Sequence, residues 1–494
     1  MKLNIITGSI EEIKTELLII GHFEDELFKN RELDLKLKNI ITKALKEKKF
    51  SGEFKQVLIT STFGLIRPER IMLLGLGKQK EFTIEKLRRV SGLSAKMARE
   101  SNMKSFTTTL SDINIKDSSL EETTQAVTEA TILSLYQFTK YKTVDKEKIK
   151  TVNEVSFLSQ NPKKAKKGLE KGRIIADATN YVRTLVNMPP SEVTPTYLAN
   201  EAKRIAKEQN IKVTIFGKNE LKKKGMNGIL AVNKGSSQEP KLIILETNPK
   251  AKKKIAIVGK GVTFDSGGLD IKPWPYMVDM KSDMAGAAAV LGTVLVASKL
   301  KLPINVLGVM PAVENMPDGS AQKAGDIITS YNKKTIEVIN TDAEGRIILA
   351  DAIAYAEEQK PDAIIDLATL TGTCIYVFGY AAAAMVSNDE KLKKALTQSS
   401  QRTFERVWEL PLWDDYRDAV KSDVGDVRNI PKGKGYEAGT ITAATFIEAF
   451  VKNTPWAHLD IAGTAWFVEE KEYIPKGATG YGVRLLTDLL ETWK

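Results

Sequence analysis

Two carboxylates and an arginine stand directly before a long apolar run in residues 339–356, INTDAEGRIILADAIAYA. Asp342 and Glu344 are two residues apart, and such side chains point the same way on an extended segment. Converging carboxylates repel each other unless a cation lies between them. The pattern therefore predicts a metal site built on oxygen ligands, in a chain that has only 2 histidines and 1 cysteine. The alternative is a helix N-cap at Asp342 or Glu344, with Arg346 exposed to solvent.

Further charged residues stand close to predicted elements in the same half of the chain. Lys260 and Asp265 lie in GKGVTFDSGG, after the apolar run KIAIVG, and Asp283 lies in MKSDMAG, before an alanine-rich helical run. Ligands of open α/β sheets collect at the carboxyl ends of the strands. We therefore expect four carboxylates to meet at one edge of a sheet, which favours the metal site over the helix cap.

The glycine-rich segment around Lys260 has competing interpretations. GKGVTF begins like a dinucleotide-binding loop, but Phe264 replaces the third glycine and no GKS or GKT follows for a phosphate loop. Taken alone, Lys260 is typical of a surface lysine beside a turn. Gly267 and Gly268 are expected to let the backbone approach a ligand closely.

Strand-like and helical runs alternate along the chain, which predicts an α/β fold with two domains. We expect a smaller N-terminal α/β domain over residues 1–160 and a connecting helix and linker over residues 161–190. A larger C-terminal domain over residues 191–494 should contain a mostly parallel mixed sheet flanked by helices. DIITSYNKKTIEVINT alternates like a hairpin with its turn at residues 331–334.

The composition is that of a soluble globular protein, with 42% hydrophobic and 27% charged residues. The sequence shows no signal-peptide pattern and no apolar run near the ~20 residues that cross a bilayer. The single cysteine, Cys374, excludes an internal disulfide framework. We expect a cytoplasmic protein without a membrane partner. The net charge of +11 comes mainly from scattered lysines, which favours a solvated surface over weak nucleic-acid binding.

Six segments resemble, in order and spacing, the leucyl (cytosol) aminopeptidase family from about Thr179 to the C-terminus. They are VGKGVTFDSGG, IKP, MKSDMAGAAAVLG, NTDAEGRIILADA, DLATLTGTC and WAHLDIAGTAW. The first domain resembles the family only in size and alternation. The resemblance implies that residues 191–494 form a catalytic metallopeptidase domain. It also implies a homohexamer that releases N-terminal amino acids, preferably leucine-like, from peptides with a free N-terminus.

The same resemblance implies two divalent metal ions in each subunit. Lys260, Asp265, Asp283 and Glu344 match the ligands of one ion, and Asp265, Asp342 and Glu344 match those of the other. Oxygen ligands suit Mn²⁺ or Zn²⁺, with Mg²⁺ or Co²⁺ as alternatives. A metal-bridged hydroxide would then attack the peptide bond.

Two further residues match catalytic positions of the family. Lys272 is expected to polarise the scissile carbonyl. Arg346 is expected to bind bicarbonate, which acts as the general base and also contacts the backbone at Leu370 and Gly372. The residues that match the substrate pocket are small or apolar: Met280, Thr369, Gly372, Ala462 and also Ala465.

The sequence departs from the family pattern at three positions. Asp270 replaces a common serine and is expected to raise the pKa of Lys272. Lys333 replaces a frequent glycine in the hairpin turn, and Ser191 stands where asparagine is common.

His458 is expected to be a core histidine. An alternative function is a basic nucleic-acid-binding protein on the aminopeptidase scaffold, but the complete ligand set favours catalysis.

Overall fold

The computed structural model describes residues 1–433 and 437–493 and confirms the α/β class and the two-domain organisation. The chain forms two compact units. Residues 1–177 and 469–475 make the first unit, and residues 178–468 together with the segment from Lys476 make the second.

A six-stranded sheet forms the core of the first unit. In spatial order its strands are Lys2–Ile6, Glu154–Leu158, Ser105–Thr108, Leu17–His22, Arg70–Gly75 and Val57–Ser61. All neighbouring pairs are parallel except the last, which is antiparallel. The α-helices within this unit are Arg31–Lys36, Ile40–Lys46, Ile84–Glu100 and Leu120–Ser134. The strands Lys2–Ile6 and Ser105–Thr108 were not predicted, because each is short and carries polar residues.

A nine-stranded mixed sheet forms the core of the second unit, as the sequence predicts. Eight strands follow in the order Val407–Glu409, Ala383–Ser387, Trp456–Asp460, Ala363–Ala368, Lys254–Gly259, Asn305–Asn315, Lys241–Glu246 and Lys212–Phe216. The ninth, Gly261–Asp265, pairs in parallel with Asn305–Asn315. The central strand Ala363–Ala368 is buried along its whole length, which explains why its sequence is apolar throughout instead of alternating.

The remaining α-helices of the described residues begin at residue 162 or later. The α-helices from residue 162 onward are Pro162–Asn187, Pro195–Gln209, Lys218–Lys224, Asn227–Val232, Trp274–Met277, Ala285–Lys299, Gly345–Glu358, Gly372–Phe378, Glu390–Thr403, Asp414–Ala419, Gly439–Glu448 and Val483–Thr492. Met280–Lys299 joins the 3₁₀ segment Met280–Met284 to the helix Ala285–Lys299, and its 20 residues are long and apolar enough to cross a membrane by length and composition. The prediction that no apolar run approaches ~20 residues was wrong for this stretch. Because 89% of its apolar window is buried inside the protein, it has the character of a core helix.

The predicted hairpin is present, with antiparallel strands Ile327–Thr329 and Thr335–Glu337. Lys333 in its turn has a positive φ of 74°. Residues with a Cβ atom enter this left-handed region of backbone conformation at a cost in free energy.

We expect Lys333→Gly to stabilise the second unit by up to about 1 kcal/mol, since relief of the left-handed strain exceeds the entropic penalty of glycine. Thermal unfolding followed by calorimetry measures the change. Lys394→Gly, in the exposed interior of Glu390–Thr403, is the matched control and should lose about 1 kcal/mol. A lower midpoint for Lys333→Gly than for the wild-type protein would contradict the role assigned to the turn.

Candidate active site

Lys260 follows the strand Lys254–Gly259 and lies among carboxylates. Its Nζ is 2.8 Å from Asp283 Oδ2 and 2.8 Å from Glu344 Oε1, and it donates a hydrogen bond to Thr369 O at 3.0 Å. Burial favours the neutral amine, but the charges of Asp283 and Glu344 outweigh burial and raise the pKa of Lys260. In this structure the buried lysine therefore serves as a counter-charge.

Gly345 makes room for that lysine. A Cβ atom at Gly345 would lie 2.5 Å from Lys260 Cε. Any other residue would displace the Lys260 side chain, so the glycine of DAEGR is a steric requirement of the site.

Lys272 also lies between two carboxylates of the cluster, those of Asp265 and Asp342. Its Nζ is 2.9 Å from Asp265 Oδ2 and also forms a close ion pair with Asp342 Oδ1. Asp265 Oδ1 accepts hydrogen bonds from Gly267 N at 2.9 Å and from Asn315 Nδ2 at 2.8 Å. Burial raises the pKa of Asp342 to about 6, although Lys272 opposes that shift.

Asp342 and Glu344 lie in a turn that leads into the helix Gly345–Glu358, and the prediction of an extended segment was wrong. The helix-cap alternative was also wrong. Glu344 occupies the N-cap position but its side chain makes no capping hydrogen bond, and Arg346 is 6% exposed. A turn that enters a helix has thus brought the two carboxylates to one place.

The cluster fits divalent cations. Asp265, Asp342 and Glu344 each offer an oxygen atom, and these atoms lie within 4.8 Å of one another. Asp283 joins them through its shared contact with Lys260. Such a concentration of buried carboxylate oxygens is chemically suited to hard divalent ions.

Sequence reasoning missed Asn429, which holds the carboxylate turn. This fully buried residue accepts a hydrogen bond from Ile339 N at 2.7 Å and donates one to Asn340 O at 2.6 Å. Its backbone oxygen accepts a hydrogen bond from Arg346 Nη1 at 2.6 Å. Because Asn429 acts on backbone groups, no pattern of side-chain types along the sequence reveals it.

Arg346 points a cationic group into the interior. Burial lowers the pKa of its guanidinium to about 10, while nearby carboxylates oppose the shift, so the group stays charged at neutral pH. No acceptor within the described part of the chain bonds its buried Nε. That nitrogen can still bind an anion.

Asp460 is a second residue that the sequence did not reveal. Its carboxylate accepts hydrogen bonds from Leu370 N at 3.1 Å, Thr371 Oγ1 at 2.6 Å and Ala462 N at 3.1 Å. It thereby joins the segment that contains Thr369 and Gly372 to the segment that contains Ala462, and both segments carry predicted pocket residues. A bicarbonate contact at Leu370 N would have to share that N–H group with Asp460.

The remaining predicted pocket residues lie in different surroundings. Thr369 donates its hydroxyl proton to Asp283 Oδ1 at 2.6 Å and so belongs to the carboxylate cluster. Met280 is half-buried at the start of the 3₁₀ segment Met280–Met284, Gly372 is exposed at the start of a short helix, and Ala465 is buried.

His458 is buried in the core, as predicted. Its Nδ1 lies 2.6 Å from Asp366 Oδ1, and Asp366 also accepts a hydrogen bond from Trp456 Nε1 at 2.7 Å.

Asp270 does not act as the sequence suggested. Its Oδ2 accepts hydrogen bonds from Thr341 N at 2.7 Å and from Thr341 Oγ1 at 3.1 Å. Burial lowers the pKa of Lys272, but Asp265, Glu344 and Asp342 raise it overall, and Asp270 is not among the causes. Asp270 instead ties the loop that carries Lys272 to the turn that carries Asp342.

Comparison with known proteins agrees with this geometry. The cytosol aminopeptidase family model matches with its catalytic domain over residues 180–487 and with its N-terminal domain over residues 19–145. The chain belongs to the cytosol aminopeptidase family. A probable cytosol aminopeptidase of Geobacter sp. (strain M21) is 43% identical over 495 residues, which is 99% of each chain. A probable cytosol aminopeptidase of Alkaliphilus oremlandii (strain OhILAs) is 41% identical over 502 residues, covering 100% of this chain and 99% of the relative.

A solved structure has the same fold. The bottromycin maturation enzyme BotP in complex with Mn aligns with a TM-score of 0.86 and 29% identity, over 97% of this chain and 99% of that chain. Membership of the cytosol aminopeptidase family makes the chain a metal-dependent aminopeptidase, a hydrolase that acts on peptide bonds and uses a dinuclear metal centre.

We expect Asp270→Ala to weaken Mn²⁺ binding by about tenfold, since residues that orient ligands typically contribute that much to metal affinity. Titration of metal-free protein with Mn²⁺, followed by calorimetry, measures the dissociation constant. Asp270→Asn is the control, because it keeps an oxygen acceptor for Thr341 N. Equal affinities for wild-type and Asp270→Ala proteins would show that the tie between the two segments does not position the ligands.

Proposed function

We propose that this aminopeptidase releases leucine-like residues from peptides with a free N-terminus, at a site centred on Asp265, Asp342 and Glu344. The observation that carries the proposal is the convergence of these carboxylates beside the buried Lys260 and the half-buried Lys272. A structural ion-pair network would not require so many acids at one point, because each buried carboxylate has a desolvation cost.

The residues that would hold two divalent ions are Lys260, Asp265, Asp283, Asp342 and Glu344. Mn²⁺ or Zn²⁺ is proposed, with Mg²⁺ or Co²⁺ as alternatives. When bound, the two ions supply Lewis acidity, which lowers the pKa of water and polarises the scissile carbonyl. Lys260 has to lose its proton to donate a lone pair, and nearby dications favour that loss.

Lys272 is proposed as the electrophilic catalytic residue. Its side chain is 15% exposed, so it reaches the open face of a buried site. An ammonium group held there by carboxylates can donate a hydrogen bond to the oxyanion that develops on the substrate.

Arg346 is proposed to hold bicarbonate as the general base. Its unpaired Nε is the donor that supports this role. Because Leu370 N already donates to Asp460, Gly372 is the less encumbered of the two backbone partners inferred for the anion. Because bicarbonate from solution would act as the general base, the site needs no histidine for that role.

The pocket for the first side chain is proposed to comprise Met280, Thr369, Gly372 and Ala462. The Thr369 hydroxyl is committed to Asp283, which leaves its methyl group for substrate contact. An apolar lining of this kind favours leucine or methionine over charged residues.

A homohexamer and a cytoplasmic location are also proposed, on the family resemblance. The nucleic-acid alternative is supported only by the net charge of +11. Such binding would be weak and would fall steeply with added salt.

We expect activity to be lost when the metal is removed and restored by added Mn²⁺ or Zn²⁺. Asp342→Ala and Glu344→Ala should lower the bound metal, because each removes a proposed ligand. Lys272→Ala and Arg346→Ala should lower kcat by about 100-fold or more with the metal content unchanged. Elemental analysis and steady-state kinetics on the same samples measure both quantities. Full turnover by metal-free protein, or loss of metal in Arg346→Ala, would refute these assignments.

We expect a leucyl peptide to be cleaved and its N-acetylated counterpart to resist. A free, neutral α-amine can bind the metal centre and place the first carbonyl for attack, whereas an amide nitrogen has no available lone pair. Mass spectrometry of timed digests distinguishes stepwise release from internal cleavage. Equal cleavage of the two peptides would rule out an exopeptidase.

A further inference from the structure

A cleft on the second unit lies apart from the proposed catalytic residues. Its volume is about 870 Å³, and its walls include residues of the helices Lys218–Lys224 and Asn227–Val232 and of the strand Ile327–Thr329. None of the proposed metal ligands, catalytic residues or pocket residues lines it. We call it the Gln322 cleft, after the glutamine in its wall.

Gln322 is a buried side chain without a partner. It is 2% exposed, and neither its amide nitrogen nor its amide oxygen has a hydrogen-bond partner in the described part of the chain. Buried amides are ordinarily satisfied, because an unpaired buried polar group loses its bonds to water without replacement. A ligand group that both donates and accepts hydrogen bonds would satisfy Gln322.

Lysines give the Gln322 cleft a cationic character. Lys218, Lys222 and Lys234 all line it. None of the three forms an ion pair with a carboxylate of the described residues, although exposed lysines such as Lys29, Lys148 and Lys421 do form such pairs elsewhere.

The lining of the cleft has fewer carboxylates than lysines. Glu239 pairs with Lys241, with 2.6 Å between Oε2 and Nζ, and Asp326 Oδ2 accepts a hydrogen bond from Lys323 N at 3.0 Å. Asp326 keeps its negative charge, because a backbone N–H group is neutral, whereas the charge of Glu239 is balanced by Lys241. Three lysines without an ion-pair partner therefore outnumber one such carboxylate, and the net positive charge selects an anion.

The walls of the cleft are bonded to the helix that begins at the active site. Asp351, on Gly345–Glu358, accepts a hydrogen bond from Ile229 N at 3.0 Å and another from Tyr331 N at 2.7 Å. Ile229 is a buried residue of the helix Asn227–Val232, whose Leu230 and Ala231 line one wall, and Tyr331 follows the strand Ile327–Thr329 of the other wall. A ligand that shifts these walls therefore acts on the helix whose first turn carries Arg346.

We propose that the Gln322 cleft is an effector site for a small organic anion. A carboxylate or phosphate group of the ligand pairs with Lys222 and its neighbours, and an amide or hydroxyl group bonds Gln322. The bound anion alters turnover through Asp351 and the helix that it holds.

Binding is tested by calorimetry on the full-length protein in the absence of substrate, so that the result does not depend on the peptidase chemistry. The probes are N-acetyl-alanyl-alanine, which has a carboxylate and amides but no free amine, and inorganic phosphate. At least one should bind with a millimolar or lower Kd, and the probe that binds identifies the anionic group. Lys222→Gln should weaken binding about tenfold, whereas Lys223→Gln, on the same helix but outside the cleft, should not.

Gln322→Leu separates the site from the stability of the fold. It should weaken binding of the acetylated dipeptide about tenfold, while the thermal midpoint without probe stays equal or rises, because an unpaired buried amide is removed. Absence of binding by both probes, or equal loss in Lys222→Gln and Lys223→Gln, would overturn the site.

Turnover of leucine amide tests the effector role. A saturating probe should change kcat/KM at least twofold in the wild-type protein and leave it unchanged in Gln322→Leu. Unchanged turnover in the wild-type protein, or an equal change in Gln322→Leu, would overturn the proposal that the cleft is an effector site.

Discussion

Four carboxylates gathered around Lys260 and Lys272, three of them buried and Asp342 half-buried, are the constraint on which the candidate active site depends. Each carboxylate loses water on burial, and each raises the cost of ionising the next. In this structure Lys260 and Lys272 balance part of the charge, each shared between two acids. The arrangement fits a protein that stabilises its ligands with its own cations and accepts divalent ions at the same oxygens.

Backbone contacts fix where those charges lie. Asn429 binds the turn before Glu344, Asn315 holds Asp265, and Asp270 joins the two segments. Gly345 leaves the space through which Lys260 passes. Since side chains that orient ligands commonly set metal affinity, these residues are as much part of the site as the carboxylates.

The sequence predicted the parts of the site that depend on residue type. Lys260, Asp265 and Asp283 stand near element ends, and that placement together with the six motifs predicts that they lie in one cluster. The conformation of Asp342 and Glu344 escaped prediction, because an i, i+2 pair is equally compatible with a strand and with a turn that enters a helix.

Residues that act through the backbone were also missed. Asn429 and Asp460 hydrogen-bond to backbone groups about 90 residues away in the sequence, which come close only when the chain folds. Short strands such as Ser105–Thr108 escaped for a related reason: their pairing is decided by neighbours far along the chain.

The carboxylate cluster is proposed to hold two divalent ions. Anomalous diffraction from crystals equilibrated with Mn²⁺ tests it most directly, since Mn²⁺ scatters anomalously and carboxylates and lysines do not. We expect two peaks among Asp265, Asp283, Asp342 and Glu344. No peak in the cluster, or a single ion that leaves Lys272 paired with Asp342, would contradict the account.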